Sequence, residues 1–150
     1  SEIAISAARV VRLFGLDPKV AFVSHSTFGQ PVTSRTKHIR KAVDILKEKN
    51  VDFEFDGDMQ PDVALNNEYK NLYPFSKIVG NANILIMPGQ HSAAISYKMM
   101  KTLGDTKVIG PLLVGLGLPI EIAPLRTSTS ELINLASIAA YSADKIDYSK

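Results

Sequence analysis

The sequence predicts an α/β fold with three layers, α/β/α, built on a mostly parallel sheet with helices on both faces. Two observations predict it. Short β-branched and aromatic runs alternate with stretches of helical period along the chain, the mark of strand–helix–strand units. The 150 residues also suit one domain, since a single core serves about 100–200 residues. The chain reads as one domain over 1–150, with no repeat and no low-complexity tract.

The elements follow in order. Ile3, Ala7, Val10, Val11 and Phe14 fall at helical spacing, and Gly15 with Asp17-Pro18 ends that helix. Lys19 to Ser24 is a short β-branched and aromatic run, a buried strand. Ser26 to Thr33 is a polar loop. Ile39, Ala42, Val43 and Leu46 form the apolar stripe of a second helix over 34–50. Val51 to Phe55 alternates apolar and acidic residues, as a strand does. Asp56 to Gln60 reads as a turn, and Pro61 suits the first position of a short helix.

Asn66 to Pro74 is polar and loop-like. Ala82 to Met87 is another apolar strand, stopped by Pro88-Gly89. A helix over 92–103 carries Ala93, Tyr97 and Met100 on one line. Leu112–Val114 and Pro119–Ala123 look like two more strands, separated by Gly115-Leu116-Gly117. Ser128 and Glu131 have capping-box spacing. The last helix, over 129–141, is apolar almost all round, which predicts burial in the core or against another subunit.

Composition excludes several classes. Apolar residues make up 45% and charged residues 21%, ordinary values for a globular domain. There is no cysteine, so disulfides, zinc–thiolate sites and a catalytic thiol are out. Their absence fits a reducing cytoplasm. No apolar run approaches the roughly 20 residues that span a bilayer. Ser1 to Leu16 does not read as a signal peptide, because Glu2, Arg9 and Arg12 interrupt it. A net charge of +2 is too small to argue for nucleic acid. That charge is unevenly placed: Arg35, Lys37, Arg40, Lys41, Lys47 and Lys49 form a basic stretch, and Asp52, Glu54, Asp56, Asp58 and Asp62 an acidic one. These are either two solvated faces or a basic helix near a polyphosphate ligand. The chain opens on Ser1, already in a helical pattern, as a fragment of something longer would.

In such a sheet, ligands bind beyond the carboxyl ends of the strands. Ser24 to Gln30 offers Ser24, Ser26 and Thr27 hydroxyls, Gly29 and the Gln30 amide, suited to phosphate or carbonyl oxygens. It lacks the motifs of a P-loop and of a dinucleotide fingerprint. Arg126 lies two residues before a helix N-terminus, where amides and a guanidinium favour an anion; alternatively it pairs with Glu131. Asp56, Asp58 and Asp62 do not fit a calcium loop and read better as turn and helix caps. His25, His38 and His91 show no metal spacing, and no metal site is expected.

Pro18 to Gly29, Asp56 to Ala64, Gly80 to Leu85, Tyr97-Lys98 and Ile109 to Leu116 together resemble the second half of the phosphate acetyltransferase and butyryltransferase family. The resemblance implies an isocitrate/isopropylmalate dehydrogenase-like fold, of which this chain is the second domain. Asp56-Gly57-Asp58-Met59-Gln60-Pro61-Asp62-Val63-Ala64-Leu65 is similar to the transferase-like C-terminal region of bacterial NADP-dependent malic enzymes. There that region senses acetyl-CoA and supports assembly. Active members of the transferase family carry Ser-Arg-Gly-Cys-Ser before the last helix and an Asp early within it. Aligned on Arg126, Leu125 and Leu132 stand at the Ser and Asp positions. Neither can serve as base or oxyanion donor.

The resemblance therefore implies a non-catalytic, acetyl-CoA-responsive domain of a homo-oligomer, without membrane or nucleic-acid partners. Its expected effector contacts are Ser24, Ser26, Thr27, Gln30, Asp56, Gln60 and Arg126. NADP and a divalent metal, Mg or Mn, are expected in a catalytic region outside these residues. The alternative is an active transferase moving acetyl groups between CoA and phosphate.

Overall fold

The computed structural model describes residues 1–104 and 107–145. They fall into two compact units, Ser1–Tyr97 and the described residues from Lys98 on. The elements are α1 (Glu2–Leu13), β1 (Lys19–Val23), α2 (Ser34–Glu48), β2 (Glu54–Met59), α3 (Pro61–Leu65), α4 (Asn67–Lys70), β3 (Ile84–Ile86), α5 (Gln90–Leu103) and α6 (Thr129–Lys145).

The first unit holds a three-stranded parallel sheet in the order β2-β1-β3. β1 is the central strand and is covered on both faces. Val20 and Phe22 point to one side, where they meet Ala4 and Ala8 of α1, Val43 and Leu46 of α2, and Ile84. Ala21 points to the other, against Met59, Val63 and Ala64 of α3, Ile78 and Ala82. This alternation makes three layers, and each large buried side chain contributes about 1.5–3 kcal/mol. The fold is α/β, as the alternation of elements predicts.

Several elements depart from the sequence pattern. The buried stripe of α1 is Ala4 and Ala8, while Ile3 and Phe14 are exposed. Two alanines let α1 approach the sheet closely, and a larger side chain would hold it off. Asp56 to Met59 forms the last four residues of β2 and is not a turn. Asp-Gly-Asp favours turns because carboxylates bond local amides; here Asp56 does accept from the Gly57 amide, but its other oxygen takes the Lys77 amide, Asp58 takes Ser26 and Arg40, and the backbone pairs with β1. Gly57 lies opposite Phe22. The register shifts between Phe22 and Val23, so that Val23 pairs with Met59. Gly57 has φ +149, and a Cβ there would lie 2.7 Å from the Phe22 carbonyl oxygen. Only glycine fits that approach.

Asn66 caps the short α4 inside the segment expected to be loop, accepting from the Glu68 amide. Asn83 fastens the start of β1: its side-chain oxygen accepts from the Lys19 amide, and its nitrogen donates to the Asp17 carbonyl. No helix among the described residues is long and apolar enough to cross a membrane.

In the second unit, Leu112–Val114 and Pro119–Ala123 are not strands. Gly110, Pro111, Gly115, Gly117 and Pro119 interrupt the stretch, and proline removes ladder donors. The Leu113 amide donates to the Glu121 carboxylate instead of to a strand. α6 buries only Leu135, while Leu132, Ile133 and Tyr141 are exposed. Its apolar surface therefore lies outside the core of this chain.

The Gly57 approach yields a test. Gly57→Ala should lower stability by about 2–4 kcal/mol, through overpacking and backbone strain, measured by urea denaturation. A loss below about 0.5 kcal/mol, the range of ordinary surface changes, would show that the strand pairing relaxes to accept a Cβ.

Candidate functional site

The carboxyl ends of β1 and β2 are joined by the loop Ser24 to Gln30. The Ser24 amide donates to the Met59 carbonyl at 2.9 Å, and the Phe28 amide to the Asp58 carbonyl at 2.6 Å. The Thr27 and Gln30 backbones exchange two hydrogen bonds of 3.2 Å, which closes a tight loop. Phe28 (φ +49) and Gly29 (φ +83) turn it. The Gln60 amide donates to the Thr27 hydroxyl at 3.3 Å, and the Gln60 side chain to the His25 carbonyl at 2.9 Å. Phe28 packs against Tyr73 and Phe75, with ring centroids 5.4 and 4.8 Å away.

The centre of this arrangement is Asp58, which has no exposed surface. The Ser26 hydroxyl donates to its Oδ2. Arg40 Nε donates to its Oδ1 at 3.1 Å. A fully buried carboxylate needs such partners, because an isolated one costs several kcal/mol. The Arg40 guanidinium lies over Gly29, and a Cβ there would come within 2.8 Å of it. The loop thus leaves its side-chain space to Arg40. Asp56 is also buried, with Oδ1 taken by the Gly57 amide at 2.9 Å and Oδ2 by the Lys77 amide at 2.7 Å. It braces the segment around Lys77. Asp62 accepts from the Val63 amide. Among the described residues, no three His, Asp or Glu side chains are placed to hold a metal ion.

Of the seven expected contacts, Ser24, Ser26, Thr27, Gln30, Asp56 and Gln60 belong to the first unit. Ser24, Ser26, Thr27 and Asp56 are buried, Gln60 is half-buried and Gln30 is exposed. Arg126 belongs to the second unit, exposed in a small pocket lined also by Lys101, Thr127, Glu131, Asn134 and Leu135. Glu131 does not pair with Arg126. Its carboxylate takes Lys101 Nζ at 2.8 Å and closes a capping box with Ser128: the Ser128 amide donates to Glu131, and the Glu131 amide to the Ser128 hydroxyl. Leu125 is fully exposed beside Arg126, and Leu132 is partly exposed in the first turn of α6.

Sequence reasoning missed Arg40 and the structural use of Asp58. A signal was present: Arg40 lies four residues after buried Thr36 and three before buried Val43, at the spacing that shares a helix face. A charge at such a position needs a buried partner.

The family model described as phosphate acetyl/butaryl transferase matches residues 1–140. The chain is 49% identical over 143 residues to the NADP-dependent malic enzyme of Rhizobium meliloti, a match covering 95% of this chain and 19% of that protein. It is 34% identical over 141 residues to the phosphate acetyltransferase of Bacillus subtilis, covering 93% of this chain and 44% of that one. The EutD phosphotransacetylase from Staphylococcus aureus superposes with a TM-score of 0.87 at 31% identity, over 95% of this chain and 44% of that one. The chain thus spans about a fifth of the malic enzyme and less than half of the transferases.

The start of α6 gives a pH test. The Lys101 hydrogen bond, with those from Ser128, lowers the Glu131 carboxyl from 4.5 to about 2. A depressed folded value means that stabilisation is complete above about 4.5 and is lost as pH falls toward 2. The amides of 128–132 should lose hydrogen-exchange protection across that window, and Glu131→Gln should remove the pH dependence. Protection unchanged down to pH 2 would contradict the assignment.

Proposed function

The chain belongs to the phosphate acetyl/butaryl transferase family, and from that premise we propose that it is a non-catalytic regulatory domain of an NADP-dependent malic enzyme that binds acetyl-CoA. What supports this reading most is the pair Leu125 and Leu132, which the resemblance aligns with a serine and an aspartate of active transferases. Acyl transfer from CoA to phosphate needs a base for the thiol and a donor for the developing oxyanion, and losing one donor costs on the order of 10²–10³-fold. Leucine offers neither group. Binding needs only ground-state contacts, and Arg126 keeps a guanidinium beside the α6 N-terminus.

In this reading Gln30 and Gln60 in the first unit, and separately Arg126 in the second, are the candidate effector contacts that lie at the surface. Ser24, Ser26, Thr27 and Asp56 act by holding the loops that carry those contacts, consistent with their burial. Acetyl-CoA or a related acyl-CoA is the effector. The parent enzyme oxidises malate to pyruvate and CO₂ in the cytoplasm, and its NADP and divalent metal are held by a catalytic region outside this chain. The exposed apolar surface of α6 and of residues 109–125 supports assembly into a homo-oligomer.

The rival is an active phosphate acetyltransferase, favoured by the identity to the Bacillus subtilis enzyme and by the retained Arg126. A thiol-release assay with acetyl-CoA and phosphate separates the two. Turnover should be undetectable against an ordinary enzyme value of roughly 10 s⁻¹; release near that rate overturns the regulatory reading. Isothermal titration should show acetyl-CoA binding, weakened about tenfold or more by Arg126→Gln, which removes charge-assisted hydrogen bonds. Titration without heat on a folded sample counts against effector binding.

A further inference from the structure

The basic stretch of α2 has no part in the effector contacts above, yet one of its members is fixed in a specific pose. Arg40 Nε is committed to Asp58, and the guanidinium rests on the Cα side of Gly29. Its two Nη groups have no hydrogen-bond partner among the described residues, and 46% of the side chain is exposed. A planar fork held from behind by a carboxylate has already lost the freedom that ligand binding would otherwise remove. Lys37 lies three residues before Arg40 and four before Lys41, spacings that place it beside both on the helix surface, with Lys41 about 100° round the helix from Arg40; both lysines are exposed and neither has an ion-pair partner among the described residues. Asp58 offsets one of these three charges. Asp44, a turn further on, is engaged by Lys47 at 2.6 Å. The face stays positive.

We infer that Arg40, Lys37 and Lys41 form a binding site for the phosphate groups of a small-molecule ligand, on the α2 face beside Gly29. A fork and two ammonium groups suit a diphosphate or a phosphate monoester, whose several anionic oxygens take a bidentate contact and point charges together. Asp58 is the positioning residue: it holds Nε and leaves the two Nη groups for the ligand. Gly29 is the second constraint, since a side chain there would displace the guanidinium.

This inference rests on the effector reading only for the molecule that carries the phosphates. The source is either the adenosine phosphates of acetyl-CoA or a separate phosphorylated metabolite. The test is a titration of the nitrogen-15-labelled chain, followed by backbone amide and arginine Nε signals. The probes are inorganic pyrophosphate, acetyl-CoA and acetyl-pantetheine, which lacks the adenosine phosphates.

Pyrophosphate should shift Arg40 Nε and amides within 27–41. Lys37→Gln with Lys41→Gln, both on the surface, should leave the fold intact and weaken pyrophosphate about tenfold, as expected for lost charge-assisted contacts. Arg40→Gln should weaken it at least as much. Arg40→Lys should not restore binding, because an ammonium cannot both hold Asp58 and present a fork. Pyrophosphate that shifts nothing within 27–41, or that binds the double lysine variant as tightly as the parent, overturns the site. If acetyl-CoA is the source, Arg40→Gln weakens acetyl-CoA and spares acetyl-pantetheine. If pyrophosphate binds at Arg40 and acetyl-CoA binds nowhere, the site stands and the acetyl-CoA reading falls. If acetyl-CoA binds and pyrophosphate does not, the site falls and the effector reading stands.

Discussion

A carboxylate sealed from water organises the functional end of the first unit. Asp58 sits on β2, takes a hydroxyl from the β1–α2 loop through Ser26, and takes a guanidinium from α2 through Arg40. Three elements are thereby tied at one point, and each tie is a charge-assisted hydrogen bond, the stronger kind. Burying the charge is unfavourable in itself. The arrangement persists because removing any partner leaves a buried charge unanswered. Gly57 and Gly29 make room for it, one by admitting the close approach of β1 and the other by accepting the guanidinium. The loop shape at the strand ends follows from this point.

Much of the fold is legible in the sequence, for physical reasons that also mark where legibility ends. β1 reads correctly because a central strand buried on both faces is apolar along its buried length, Val20 to Val23. The α2 stripe reads correctly because Val43 and Leu46 keep helical period. β2 misleads, since Asp-Gly-Asp reads as a turn, whereas pairing with β1 and the tertiary partners Arg40, Ser26 and the Lys77 amide hold it extended even though Asp56 also bonds the Gly57 amide. The 112–114 and 119–123 runs mislead in the opposite sense. Apolar character marks a strand only if a partner edge is there to receive it, and pattern alone carries no information on that edge. In the site, the loop residues Ser24 to Gln30 are readable from position, as strand-end polar residues. Arg40 is not, because its meaning depends on a carboxylate eighteen residues away.

The functional reading follows from unequal losses. Acyl transfer needs groups that act only in the transition state, and in the proposed reading Leu125 and Leu132 stand where those groups would be. Anion recognition needs donors and positive charge, and Arg126, the α6 N-terminus and the basic face of α2 retain both. On the proposed reading, anion donors without an acid–base pair would suit the domain to sensing. The exposed apolar residues of α6 point the same way, since a signal from a bound effector must pass through a contact with another subunit or region to alter catalysis elsewhere.

The most direct measurement is the rate of malate oxidation by the proposed malic enzyme carrying this chain, followed as acetyl-CoA is raised, with the thiol counted in the same reaction. A regulatory domain predicts that the rate changes with acetyl-CoA, that Arg126→Gln abolishes the response without altering the rate in its absence, and that no free thiol accumulates. A malate rate indifferent to acetyl-CoA, with phosphate-dependent thiol release, would contradict it and identify a working transferase.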